Sequence, residues 1–383
     1  MTDGPHPTEP RRVLIAGGGV AGLEAAFALR ELAGDRVAVR ILAPSEEFVY
    51  RPTSVGEPFT TAHARHYSLA KLAAAAGAEL IHDGLHRVDP ARRQAITRGG
   101  ATLSYEELLV CPGAIMRHPF EHTTPFDDAR VDELLHGLVQ DVEGGYVRRL
   151  AIVVPAPMPW PLPAYELALM TSERAWDMHA DMDVTVFTPE TAPLAVFGAR
   201  ASHQLSRLLA ERRIDVITAA YCEIPHAQTI IVHPGGREVH ADRIVSLPAL
   251  SGPGIEGLPQ DGNGFIPIDE FGRVAGTESV WAAGDATDYP LKQGGVAAQL
   301  ADTIACGIAA VAGASVEPVA FTPSLEGVLL TGGRPRQLRG QTAGRDTSSL
   351  TAVPTSDQPP KIAARFLTPH LTEELPRVPV SSG

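Results

Sequence analysis

The chain has 383 residues, 44% hydrophobic and 20% charged, and its 45 Asp and Glu exceed its 32 Lys and Arg to give a net charge of −13. That is enough chain for two or three domains around an enzyme-sized core, and such a composition excludes disorder throughout. The acidic balance, with no basic block and no basic-aromatic stripe, argues against nucleic acid as a partner.

In chain order, residues 1–11 are polar and rich in proline and read as a disordered tail. Val13 to Ala16 is a short apolar run of the buried-strand kind. Glycines follow, then a helical pattern from Leu23 to Leu32, then a β-branched, alternating strand from Arg36 to Ala43. This strand, glycine loop, helix and strand make a βαβ unit that ends near Pro44. Leu108 to Cys111 is a further buried strand, stopped by Pro112-Gly113. Leu150 to Val154, the helical pattern Tyr165 to Ala175 and the strand Asp183 to Phe187 repeat the same order. The expected fold class is therefore α/β, with two Rossmann-like domains, the second inserted in the first. Val280 to Ala283 returns to a buried-strand pattern, and Gly294 to Ala312 is an Ala-rich helix. Residues 313–383 form a C-terminal region in which 341–360, rich in Ser, Thr, Pro and Gln, read as a flexible loop.

Cys111, Cys222 and Cys306 are odd in number and unclustered, which does not make a disulfide framework and points to a reducing, cytoplasmic compartment. The apolar run after Arg11 and Arg12 is interrupted by Gly17-Gly18-Gly19 and Glu24, so it is not read as a secretory signal. The most apolar longer stretch, 294–313, carries Asp302, and no transmembrane helix is expected.

Gly17-Gly18-Gly19-Val20-Ala21-Gly22 is a G-x-G-x-x-G between a strand and a helix. The first glycine permits the tight turn, the second lets a pyrophosphate reach the backbone, and the third lets helix and strand pack closely. The helix N-terminus then offers free N–H groups and a positive dipole end to the negative charge. About 20 residues on, the fingerprint asks for an acid to hold a ribose. Leu42 or Ala43 stands there instead, leaving Ser45, Glu46 or a backbone group as substitutes.

Three motifs in order resemble landmarks of the FAD-containing pyridine nucleotide-disulfide oxidoreductases: the Gly17 loop, Tyr105 to Ala114, and Ala282-Ala283-Gly284-Asp285-Ala286-Thr287. The middle landmark usually reads Ala-Thr-Gly, and this chain has Cys111-Pro112-Gly113. Within that superfamily the chain is most similar to the sulfide:quinone oxidoreductase and type II NADH dehydrogenase branch. Lys292 to Gln299, Pro163-Ala164-Tyr165-Glu166 and Thr188-Pro189-Glu190 carry that similarity, which covers about residues 12–312. The resemblance implies an FAD domain of 12–115 and 264–312 and a degenerate NAD(P)-binding domain of 148–262. It also implies FAD contacts from the Gly17 to Gly22 loop, Ala43, Arg51, Pro112 and Gly113, and from Gly284, Asp285, Lys292 and Gln293. Tyr50-Arg51-Pro52 and Ser54-Val55-Gly56 would run over the flavin toward the acceptor pocket.

A carboxylate such as Asp285 at the end of a buried strand needs a hydrogen-bond donor, and a ribityl hydroxyl would serve. The helix opening near Gly294 would face the flavin pyrimidine ring, with Lys292 either adding to that field or lying at the surface. Glu166 is either a proton relay beside the flavin or an acid that merely favours its helix dipole.

If Glu166 ends the second dinucleotide fingerprint, its glycine positions hold Pro159, Pro161 and Ala164. Proline donates no N–H, so the usual pyrophosphate cradle is not expected there. Sulfide:quinone oxidoreductases usually have a redox cysteine a few residues before Pro-Ala-Tyr-Glu, and here Trp160 stands in that place with Met158 nearby. None of the three cysteines matches that family's redox positions, and they read as structural. Arg334, Arg336 and Arg339 either hold an anionic substrate or form a solvated basic loop. His63 with His66 and His118 with His122 offer too few ligands for zinc, and no metal site is expected.

The expected function is two-electron transfer through FAD from a reduced small-molecule donor to a quinone-like or small-molecule acceptor. The alternatives are an NAD(P)H:quinone oxidoreductase of the type II NADH dehydrogenase kind and a flavin-binding scaffold or redox sensor without turnover. Residues 341–383 have Phe366 as their only Phe, Trp or Tyr, so at most a weak peripheral membrane contact is expected.

Overall fold

The computed structural model describes residues 9–340, 346–353 and 361–371. Its first sheet is wholly parallel, in the order Val280–Ala282, Glu107–Val110, Arg11–Ala16, Val37–Ala43 and Glu79–His82. Both faces are covered, so the central runs Val13 to Ala16 and Leu108 to Val110 are apolar without a break and their side chains divide by parity. Val13, Ile15, Val39, Ile41 and Leu109 point to a core shared with helices Val20–Leu32 and Gly294–Val311. Leu14, Ala16, Leu42, Leu108 and Val110 point the other way, to a core closed by the antiparallel strands Leu85–Asp89, Gln94–Thr97 and Thr102–Ser104.

The second unit repeats this plan. Its sheet runs Thr124–Pro125, Arg243–Ser246, Arg149–Val153, Asp183–Phe187 and Ile214–Ile217, again all parallel. Leu150, Ile152, Val184 and Val186 face helices Val131–Glu143, Leu162–Asp177 and Ala199–Glu211. Ala151, Val153 and Phe187 face the antiparallel strands Tyr221–His226, Thr229–His233 and Arg237–His240. The chain leaves the first unit through Ile115–Arg117 and re-enters through Ala249–Ser251, and these two crossings pair antiparallel.

Several boundaries differ from those read in the sequence. The inserted unit opens at Thr124 rather than 148, because helix Val131–Glu143 buries Val131, Leu135 and Val139 in its core. It closes near Ser251 rather than 262, since Ile255 and Leu258 are buried in the core of the first unit. Arg11, placed in the tail, opens the first strand, and residues 1–8 lie outside the described residues. Ser349–Ala352, read as part of a flexible loop, is a strand paired with Arg336–Arg339, which in turn pairs with Glu326–Leu329. Residues 341–345 and 354–360 of that loop lie outside the described residues.

Helix Gly294–Val311 has the length and a mean hydropathy, 1.4, that a membrane span would need. Its apolar character has another cause: Val296, Leu300, Ala301, Ile304 and Ile308 are buried in the first core.

Candidate flavin site

A cleft of about 580 Å³ runs between the two units and draws its walls from stretches spread along the chain from Gly18 to Ile362. Gly18, Gly19 and Val20 line it where the first strand turns into the first helix. Of the other loop residues, Gly17, Ala21 and Gly22 lie beneath the wall rather than on it. A Cβ at Gly17 would strike the carbonyl of Cys111, and one at Gly22 would strike the carbonyl of Gly17. A Cβ at Gly19 would meet no protein atom within 4 Å. The three glycines thus divide their work as the fingerprint requires: two let segments of the chain touch, and one leaves the cleft wall bare. The first helix carries no side-chain cap, so its leading N–H groups are left for a ligand.

Ala43 lies on the wall at the end of the second strand, in the place where the fingerprint asks for an acid. Beyond it Ser45 and Glu47 line the cleft, whereas Glu46 does not. Glu47 is paired with His66 at 2.9 Å, so the nearest carboxylate to that end belongs to a residue the sequence pattern did not single out. Arg51 and Pro52 follow, and Arg51 bonds Asp128 at 3.4 Å, near the start of the second unit.

Pro112 and Asp285 face the middle of the cleft, while Gly113 and Gly284 only shape the turns beside them, at φ +84° and +69°. Desolvation pushes the Asp285 carboxyl up to about 6, with Lys292 opposing that shift and Asp128 adding to it. Lys292 is buried at 7% exposure, which rules out the surface-lysine reading. Its ammonium donates to the Thr287 carbonyl and sits 4.0 Å from the centroid of the Phe265 ring. Burial pulls its pKa down, while Asp285, Asp288 and Asp261 hold it up. Gln293 caps the helix that follows, accepting from Val296 N at 2.8 Å, and donates to the Glu326 carbonyl at 3.3 Å. Gly294 opens that helix, and a Cβ there would strike Ile362.

The far end of the cleft is where the structure departs furthest from the sequence reading. Glu166 sits in the second turn of helix Leu162–Asp177, too far in to act on its dipole end. Its side chain is 1% exposed, and its two oxygens take Lys361 Nζ at 2.7 Å and Leu330 N at 2.9 Å. Lys361 also donates to the Pro52 carbonyl at 2.6 Å. Lys361 thus ties Glu166 of the second unit to Pro52 of the first, and although Glu166 lines the cleft, each of its carboxylate oxygens already accepts a hydrogen bond from the protein. Burial still raises its pKa, with Lys361 the principal opposing influence. Phe126, Trp160 and Leu162 add apolar wall beside it.

The second unit has no comparable cradle at its own strand-to-helix turn. Helix Leu162–Asp177 is preceded by Pro159, Trp160 and Pro161, and Trp160 packs on Phe197 with ring centroids 5.8 Å apart. Glu190, just past the strand Asp183–Phe187, accepts from Tyr165 Oη at 2.6 Å and from Thr188 Oγ1 at 3.0 Å. In a dinucleotide-binding unit an acid at this edge would hold a ribose. Here two of the protein's own hydroxyls are bonded to its Oε2.

None of the cysteines lines the cleft. Cys111 is buried under the glycine loop with its thiol 3.8 Å from the Gly17 carbonyl, and burial pushes its pKa up to about 12. Cys222 and Cys306 are half-buried rather than fully enclosed, in the outer antiparallel sheet and on helix Gly294–Val311. Arg336 and Arg339 belong to a paired strand, and neither they nor Arg334 reach the cleft.

The residues present fit FAD. The bare wall at Gly19, the uncapped helix and the elongated cleft leading past Asp285 suit a pyrophosphate flanked by two extended arms. Two Rossmann units, one inserted in the other, make the fold, and several solved oxidoreductases share it. A sulfide:quinone oxidoreductase from Aquifex aeolicus shares it with a TM-score of 0.79 and 19% identity over 89% of this chain and 87% of that one. A ferredoxin reductase from Rhodopseudomonas palustris gives 0.64 and 16%, covering 88% and 84%. NDH2 from Plasmodium falciparum gives 0.58 and 14%, covering 73% and 64%. No protein-family model and no curated protein sequence matches the chain.

Proposed function

We propose that this protein is an FAD-dependent oxidoreductase that takes two electrons from a reduced small-molecule donor other than NAD(P)H and passes them to a quinone-like or other small acceptor. The observation that carries this reading is the contrast between the two units. The first keeps its glycine loop bare and its helix uncapped, whereas the second has prolines at its loop and an edge acid, Glu190, held by Tyr165 and Thr188.

FAD, when bound, supplies the two-electron carrier. The chain's own residues would bind and orient it. The Gly17 to Gly22 loop would take the pyrophosphate, Asp285 would accept from a sugar-chain hydroxyl, and helix Gly294–Val311 with Lys292 would favour negative charge at the ring's polar edge. Phe126, Trp160 and Leu162 would exclude water from the reacting face. Sulfide oxidation through protein thiols is not part of this reading, because no cysteine lies on the cleft wall.

The test is the visible spectrum of the purified protein without oxygen, before and after excess NADH. A bound flavin that stays oxidised supports the proposal. Rapid bleaching by NADH would overturn it in favour of an NAD(P)H:quinone oxidoreductase. A flavin that no donor and acceptor pair turns over would leave a binding scaffold.

A further inference from the structure

Glu24 is fully buried within helix Val20–Leu32, the helix that the glycine loop opens, and it has no part in the proposed electron transfer. A carboxyl group sunk this deep needs hydrogen-bond donors, because water does not reach it. Two consecutive backbone groups of the C-terminal segment 361–371 supply them: Phe366 N and Leu367 N donate to its two oxygens at 2.8 and 2.6 Å. Successive N–H groups turned to one side make a concavity suited to an anion. The segment is fastened around that point as well. Ala364, Phe366 and Leu367 are buried in the first core, and His370 stacks on Phe27, one turn farther along the helix of Glu24, with ring centroids 4.0 Å apart. Tyr67 Oη donates to the Leu371 carbonyl at 3.2 Å.

At its start the segment becomes cleft wall, through Lys361 and Ile362. Ile362 N donates to Tyr50 Oη at 2.9 Å, and the Ile362 side chain lies against Gly294, the first residue of helix Gly294–Val311. Lys361 donates to the Pro52 carbonyl at 2.6 Å and to Glu166 at 2.7 Å. Two adjacent residues thus reach the first unit, the second unit and the helix that would face the flavin ring. Neither residue has a charged anchor of its own in the first unit; the carboxyl group that holds the segment there is Glu24, four to six positions farther along.

We infer that segment 361–371 is a clasp over the ring end of the cleft, anchored on Glu24, and that it must lift before a bound flavin can leave. The inference rests on the flavin reading, since the clasp retains what that reading places in the cleft. An exit gated in this way proceeds only during the small fraction of time that the clasp is open. Any change that raises this fraction raises flavin release by the same factor, and it raises hydrogen exchange at the Phe366 and Leu367 amides by that factor too.

The experiment measures both quantities in the full-length holoprotein, wild type and Glu24→Gln. Exchange at the two amides is read by mass spectrometry, and release is read from the fluorescence of free flavin after dilution. The variant keeps the size of the side chain but turns an amide NH₂ toward one of the two N–H groups. Exchange and release are expected to rise together, each at least tenfold, while the amides of strand Arg11–Ala16 keep their wild-type protection. Faster exchange at Phe366 and Leu367 with unchanged release overturns the clasp, and so does exchange that the variant leaves unchanged. Should Glu24→Gln fold poorly, His370→Ala removes only the outer stack on Phe27. Exchange and release must then again rise by one common factor, and release that stays at the wild-type rate while exchange quickens overturns the inference. Bleaching by NADH in the anaerobic titration would change the donor and leave the clasp standing, whereas a protein that neither carries nor takes up FAD would overturn both readings.

Discussion

Glu166 and Lys361 meet at 2.7 Å with side chains 1% and 8% exposed, although 195 positions separate them in the chain. A buried pair of this kind contributes little over a well-packed apolar replacement, but breaking it leaves one charge stranded out of water. Lys361→Met is therefore expected to cost about 3–5 kcal/mol in urea unfolding. The double variant Glu166→Gln with Lys361→Met should cost less than the sum of the single changes, by about 1–3 kcal/mol. Strict additivity would show that the two groups do not interact.

The glycine loop separates folding from binding. Gly22→Ala forces a Cβ onto the Gly17 carbonyl and should destabilise the protein by about 1–3 kcal/mol or more. Gly19→Ala meets no protein atom and has an ordinary extended backbone, at φ −86° and ψ −168°, so its melting temperature should be unchanged. Its flavin affinity should fall at least tenfold, about 1.4 kcal/mol, because the Cβ projects where the pyrophosphate must approach. Equal flavin content in Gly19→Ala and wild type would mean that the loop does not cradle the cofactor.

Asp285 should leave a signature in the flavin-free protein. Its folded pKa of about 6 exceeds the ordinary 3.8, so the folded state binds more protons between these values. Relative to Asp285→Asn, the wild type should lose stability as pH rises from about 4 to 6 and then run parallel. Melting curves across that range check it, and a constant difference between the two proteins would contradict the shift.

Thiol chemistry should be slow at every cysteine. Burial pushes Cys111 and Cys222 up to about 12 and raises Cys306, which leaves little thiolate at neutral pH. Iodoacetamide should label Cys111 only after unfolding, and Cys222→Ser with Cys306→Ser should leave flavin reduction within about twofold of wild type. Labelling of native Cys111, or loss of reduction in the double variant, would restore a redox role for these residues.

Much of the fold was legible because its causes are local. A glycine loop between an apolar run and a helical pattern marks a strand-to-helix turn. The runs Val13 to Ala16 and Leu108 to Val110 are unbroken apolar stretches because each lies between two cores. The proline-filled second loop was likewise visible as residues alone. That Glu190 is engaged by Tyr165, and that Lys292 turns toward Thr287 and Phe265, followed only from packing.

The same limit explains what the sequence reading missed at the C-terminus. Ser349–Ala352 has the composition of a loop and becomes a strand because Arg336–Arg339 offers it an open edge. Lys361, Ile362 and Phe366 carry no motif, and their roles depend on acids at positions 24 and 166 that local periodicity does not connect to them. By itself the sequence determined two Rossmann-like units and a dinucleotide loop in the first, since turn chemistry and side-chain period act over a few residues. The tertiary structure decided where the inserted unit begins and ends and which buried charges pair, because burial brings together groups that lie far apart along the chain.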